Sequence, residues 1–99
     1  MTELKGYDID GVLTAGVNPM GNYVVISGRT FAEYDDFAKR AASLAPVYIR
    51  GVGAFGDRGH TGSFKASMIN LLGVTEFHED DVQIEIIRNN CTNCKVIKE

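Results

Sequence analysis

Asp8-Ile9-Asp10-Gly11-Val12-Leu13-Thr14 is the stretch on which the reading of this chain turns. Two carboxylates stand at alternate positions where a short, weak strand candidate, Leu4 to Tyr7, runs out, and a glycine follows at once. Carboxylates this close repel, so something cationic shares the site if both are ionised. The same residues also suit a plainer structure, an Asp-Gly hairpin turn flanked by alternating hydrophobics. A calcium loop of the EF-hand type is excluded, because the glycine comes two residues too early. Taken alone, the segment leaves both site and turn open.

Working outward, Ala15 to Asn22 carries the glycines, proline and asparagines of a turn. Tyr23-Val24-Val25-Ile26-Ser27 is a continuous apolar run, as a parallel strand buried on both faces requires. Thr30 and Glu33 form a capping box that predicts a helix start, and Phe31, Tyr34, Phe37, Ala38, Ala41 and Leu44 give that helix one apolar stripe. Pro46 stops it, and Val47-Tyr48-Ile49 begins another strand. Five glycines between Gly51 and Gly62 predict a mobile loop. Phe64, Met68, Leu71 and Leu72 form the stripe of a second helix closed by Gly73. Val74 to His78 reads as a strand, Val82 to Asn90 as a third helix, and Lys95 to Ile97 as a closing strand.

Strands alternating with helices in this way predict one α/β domain over residues 1–99. Its mainly parallel sheet has about five strands, right-handed crossovers and helices on both faces. Ligands of such sheets bind beyond the carboxyl ends of the strands. The acids after the first strand, Ser27-Gly28-Arg29 after the second, and Glu79-Asp80-Asp81 after the strand ending at His78 all fall there.

Composition narrows the function classes. The chain has 99 residues, 44% hydrophobic and 23% charged, with a net charge of -3. A domain of this size buries about two-thirds of its unfolded surface, so its core is thin. Mild acidity argues against nonspecific nucleic-acid binding through a basic face. The first residues lack the apolar region of a secretory leader, and no apolar run approaches the roughly 20 residues of a membrane span. The expectation is a soluble, cytoplasmic protein. Both cysteines lie in Cys91-Thr92-Asn93-Cys94, which leads into a strand rather than opening a helix. His60 and His78 do not complete a zinc finger spacing, so ordinary reduced thiols are expected.

Each remaining polar feature has a bland reading beside the functional one. Ser27-Gly28-Arg29-Thr30 offers backbone N–H groups and a hydroxyl to a phosphate, or is a tight, well-capped strand-to-helix turn. Lys65 falls near the start of its helix, where the dipole disfavours a cation, so it meets an anion or extends into solvent. In Glu79-Asp80-Asp81 one acid serves as a helix cap, while the run as a whole suits a hard divalent cation.

Together, and in this order, these segments resemble the haloacid dehalogenase-like (HAD) hydrolase superfamily across nearly the whole chain. Asp8 to Thr14 looks like its first motif, DxDGVLT. Ser27-Gly28-Arg29 is similar to the second, Lys65 with Ile69 and Leu72 resembles the third, and Asp80-Asp81 resembles the paired-acid form of the fourth. The resemblance implies a three-layer Rossmann-like fold and a magnesium-dependent phosphomonoesterase. Asp8 would be the nucleophile that forms an aspartyl-phosphate, and Asp10 the general acid and base. Mg2+ would be held by Asp8, the Asp10 main-chain carbonyl, and Asp80 or Asp81. Ser27, Gly28 and Lys65 would hold the phosphate.

About a dozen residues separate Thr14 from the second motif, and the Gly51 to Gly62 loop is short, so the resemblance is to a capless member. Such members act on phosphates exposed on large substrates or borrow a neighbouring subunit as a lid. The DGVLT wording is similar to capless sugar-acid phosphatases that work as tetramers, which implies a homo-oligomer. Asp57, Arg58 and His60 in the loop either reach the substrate or merely belong to a flexible connection. Val82 replaces the arginine of many relatives, and Gly6 leaves a gap on one face of the first strand. The alternative to an enzyme is a HAD-fold binding or assembly protein with little turnover.

Overall fold

Lys5–Tyr7 forms β1, only three residues long, yet it sits at the centre of the sheet. The computed structural model describes residues 3–43, 45–51, 61–80 and 83–99. Leu44, the 52–60 stretch with Asp57, Arg58 and His60, and Asp81 and Val82 lie outside the described residues. The other strands are β2 (Tyr23–Thr30), β3 (Val47–Gly51), β4 (Glu76–Glu79) and β5 (Lys95–Lys98). The helices are α1 (Asp36–Ala42), α2 (Thr61–Leu72) and α3 (Ile84–Asn90). Among the described residues all four strand pairings are parallel, in the order β3-β2-β1-β4-β5. The α/β class and the succession of elements are therefore as the periodicity predicts. Parallel pairing of β1 with β2 also removes the hairpin reading of Asp10-Gly11, since a tight hairpin joins antiparallel strands.

Successive side chains of β2 serve two cores, because strand residues alternate between faces. Val24 and Ile26 pack with Ile69 of α2, Phe77 of β4, Ile84 and Ile87 of α3 and Val96 of β5. Val25 instead packs with Ile9 and with Ala38 and Ala42 of α1. Helices thus lie on both faces, but coverage is unequal. On the α1 face, β4 carries Glu76 and His78, which pair with each other and with Lys5 and Glu99. That half of the sheet is closed by charged side chains and by the Tyr7 ring stacked on His78 at 4.4 Å, rather than by a described helix.

Three sequence expectations need correction. The helix predicted from Thr30 does not start there: β2 runs on through Thr30, a single 3-10 turn occupies Phe31–Glu33, and α1 opens at Asp36. Asp35 is the real cap, its carboxylate accepting the Ala38 N–H at 3.0 Å. Phe31 and Phe37, placed on the buried stripe by spacing, are 71% and 53% exposed, and the small Ala38 and Ala42 are buried instead. Leu71 likewise faces solvent, while Gly62, Lys65, Ala66 and Ile69 form the buried side of α2. Finally, Gly6 leaves no gap. A Cβ there would lie 2.7 Å from the Phe77 ring, so the ring of its register partner fills the space. Among the described residues no helix is long and apolar enough to cross a membrane.

Candidate active site

The strand order turns back at β1. From β1 the chain builds outward through β2 to β3, then returns to place β4 on the other side of β1. Such a switch point leaves a crevice beyond the carboxyl ends of the two strands. Asp8 follows β1 and Asp80 follows β4 at that position. The ladder continues one residue past β1, with the Asp8 N–H donating to the His78 carbonyl at 3.1 Å, and this fixes Asp8 beside Glu79.

After Asp8 the chain coils tightly. The Leu13 and Thr14 N–H groups donate to the Asp8 and Ile9 carbonyls, and the Gly11 N–H donates to the Thr14 hydroxyl at 2.9 Å. Gly11 adopts φ +76, and a Cβ built on it would lie 1.5 Å from Asp80 Oδ2. Glycine is needed here twice over, for the left-handed backbone and to seat the Asp80 carboxylate against the turn.

Lys65 lies on the buried side of α2, 2% exposed, and meets two carboxylates. Its Nζ is 3.3 Å from Asp8 Oδ1 and 2.5 Å from Glu79 Oε2. Asp8 is 4% exposed and Glu79 fully buried, and the second Glu79 oxygen accepts the Asp80 N–H at 3.1 Å. Of the two sequence readings of Lys65, the anion-meeting one describes its position. Burial opposes the Lys65 charge, but the attraction of Asp8 and then Glu79 outweighs it and raises the ammonium pKa. Burial raises the Asp8 carboxyl well above its ordinary value; Lys65 counters this, and the like charge of Glu79 adds to it. Two buried carboxyl groups thus crowd one ammonium in a dry place. Asp8, Glu79 and Asp80 each offer an oxygen, all within 4.8 Å of one another, and such a hard donor set can hold a divalent cation.

Asp10 has a different partner. Its side chain is 58% exposed, and the Arg29 guanidinium grips both oxygens, Nε to Oδ2 at 3.0 Å and Nη2 to Oδ1 at 2.8 Å. Among the described residues the two carboxylates of the first segment meet different cations: Lys65 lies beside Asp8 and Arg29 beside Asp10. Ser27 is fully buried, its hydroxyl accepting the Arg29 N–H at 3.1 Å. Gly28 lets α2 approach, for a Cβ there would lie 2.4 Å from the Thr61 methyl. Ser27 and Gly28 accordingly lie in an extended segment, not at a helix entrance.

Asp8, Lys65 and Asp80 come together, and Asp81 lies outside the described residues. Sequence reasoning overlooked Glu79 and Arg29 as individual site residues. Glu79 could have been found by carrying the period of two along β4, which puts it on the same face as Phe77. No local pattern points Arg29 at a residue nineteen positions earlier.

The cysteines stay unremarkable. Burial pushes both thiols up, Cys94 to about 12, and both are free. They pack beside the α2–α3 core, and among the described residues they join no cluster suited to a metal. Compared with known proteins, the chain matches no protein-family model, no curated protein and no solved structure.

Proposed function

We propose that this chain is a magnesium-dependent phosphomonoester hydrolase of the HAD-like type, a capless three-layer core working through an aspartyl-phosphate on Asp8. One observation carries the reading: Asp8 and Asp80 flank the switch point between β1 and β4, with Lys65 buried between Asp8 and Glu79. In this reading an Asp8 oxygen bonds to phosphorus as the ester P–O bond breaks, and Asp10 gives its proton to the leaving oxygen. Asp10 then takes a proton from the water that attacks the aspartyl-phosphate, freeing Asp8 and inorganic phosphate. Lys65 supplies fixed positive charge beside the attacked phosphoryl group, and Ser27 and Gly28 line the adjoining strand end.

The donor set suits magnesium, since Asp8, Glu79 and Asp80 each offer a carboxylate oxygen within 4.8 Å of the others. Asp8, Glu79 and Asp80 would hold the ion, which when bound would offset charge on the nucleophile and the phosphate. The substrate is a phosphomonoester, free or on a larger molecule, and the protein is a cytoplasmic homo-oligomer in this reading. Purified protein should hydrolyse p-nitrophenyl phosphate with magnesium, and Asp8→Asn should abolish it; equal activity in the variant would sink the assignment.

A second reading, a HAD-fold binding or assembly protein without turnover, is favoured by the near-complete burial of Asp8 and Lys65. Beryllium fluoride with magnesium separates the two. A raised melting temperature supports the enzyme, and no shift supports the binding protein.

A further inference from the structure

Arg29 is anchored more firmly than a surface ion pair requires. Its Nη1 donates to the Glu33 carbonyl at 2.6 Å and lies 3.6 Å from Asp35 Oδ1, while Nε and Nη2 hold Asp10. Each anchor is itself fixed. Glu33 accepts from the Thr30 N–H at 3.1 Å and from its hydroxyl at 2.9 Å, and Asp35 caps α1. The Arg29 N–H is tied to the buried Ser27 hydroxyl. The guanidinium therefore bridges the turn after β1 to the turn after β2, and its side chain is only 18% exposed.

A planar fork on both oxygens of a carboxylate restricts its rotation as well as attracting it. Asp10 needs that restraint, because it stands on an exposed turn with extended backbone (φ -74, ψ 125). A proton-transfer group must stand within hydrogen-bond reach of the atom it serves, and a misplacement of about 1 Å can cost about a hundredfold in rate. We infer that Arg29 is the positioning residue for Asp10, holding its carboxylate at the mouth of the crevice in the orientation for proton transfer, and that it does not hold the phosphate. The inference rests on the phosphatase reading. The second half of it follows from the anchoring: three of the five guanidinium N–H donors go to Asp10 and the Glu33 carbonyl, and Asp35 stands 3.6 Å from Nη1, so turning toward a phosphate would break the clamp.

The test combines kinetics on p-nitrophenyl phosphate with a spectrum of the resting protein. Arg29→Ala and Arg29→Lys should each lower kcat by about tenfold or more, since lysine keeps the charge but not the fork. KM should stay within about twofold, because only transition-state geometry is lost. Adding Arg29→Ala to Asp10→Asn should cost nothing further, as expected for residues acting as one unit. Free guanidinium should restore part of the Arg29→Ala rate. Independently of turnover, the Arg29 Nε–H resonance should be protected from exchange in the wild type and lose protection in Asp10→Ala.

A rise in KM with kcat unchanged, or losses that multiply in the double variant, would overturn the inference in favour of direct substrate contact. An unprotected resonance would overturn it as well. Should Arg29→Ala fail to fold, Arg29→Lys carries the same comparison. A wild type without turnover sinks the phosphatase reading and the catalytic role of Arg29 with it. A protected resonance would then mark that failure as distinct from the absence of the clamp.

Discussion

Lys65→Met should destabilise the protein severely, and adding Glu79→Gln should give much of the loss back. Lys65 Nζ lies 3.3 Å from Asp8 and 2.5 Å from Glu79. With an effective dielectric of about 20, those separations correspond to gross attractions of about 5 and about 7 kcal/mol, most of which offsets the cost of burying the ammonium. Methionine fills much of the same volume but leaves two buried carboxylates without a cation. Removing one partner of a buried pair in this way costs about 3–5 kcal/mol. For a domain of this length that is a fall in melting temperature of more than about 12 °C. Glutamine at position 79 removes one of the stranded charges and still offers an oxygen to the Asp80 N–H, so the double variant should recover about half of the loss. The assay is urea unfolding at pH 7 without divalent cations. A loss below about 1 kcal/mol in Lys65→Met would refute the buried-network reasoning, since exposed pairs cost that little. So would a double variant as unstable as the single one.

Three further outcomes follow from the same geometry. The folded-state pKa of Asp8 is raised, chiefly by burial, so its contribution to stability is fully present below the ordinary aspartate value of about 3.9 and lost as pH rises through the raised value. Asp8→Asn should therefore flatten the decline in stability from acidic to neutral pH, measured by thermal melts without divalent cations; an unchanged profile would count against it. Gly11→Ala should cost about 1–3 kcal/mol by urea unfolding, because alanine is strained at φ +76 and must displace Asp80. In the proposed phosphatase it should also raise the magnesium concentration needed for half-maximal activity. Cys94, whose thiol is pushed up to about 12 by burial, should react with iodoacetamide at pH 8 far more slowly than free cysteine. Labelling at the free-thiol rate would show that the site is open.

Much of the fold was legible because hydrophobic periodicity reports burial. The run Tyr23 to Ile26 reads as a strand between two layers, and Val24, Val25 and Ile26 are indeed buried in two different cores. The start of α1 departs from the sequence expectation because Thr30 and Glu33 do form a reciprocal cap, but on a single turn rather than a helix. A capping box reports a local hydrogen-bond pattern, and that pattern does not know how long the following segment stays helical. Phe31 and Phe37 are exposed for a related reason: spacing measures phase, and the later helix start shifts it.

The candidate site divides in the same way. Asp8, Gly11, Lys65 and Asp80 could be singled out from residue type and position, since charges at strand ends and helix starts are costly unless they meet something. Their partners could not. Glu79 closes on Lys65 because the β1–β4 pairing sets Glu79 beside Asp8, and Arg29 reaches Asp10 because β1 and β2 are neighbours. Periodicity and capping are short-range, written within a turn or two of chain, and so they show in the order of residues. Ion pairs between residues fourteen and nineteen positions apart depend on which strands lie side by side, and strand order is settled by packing of the whole sheet.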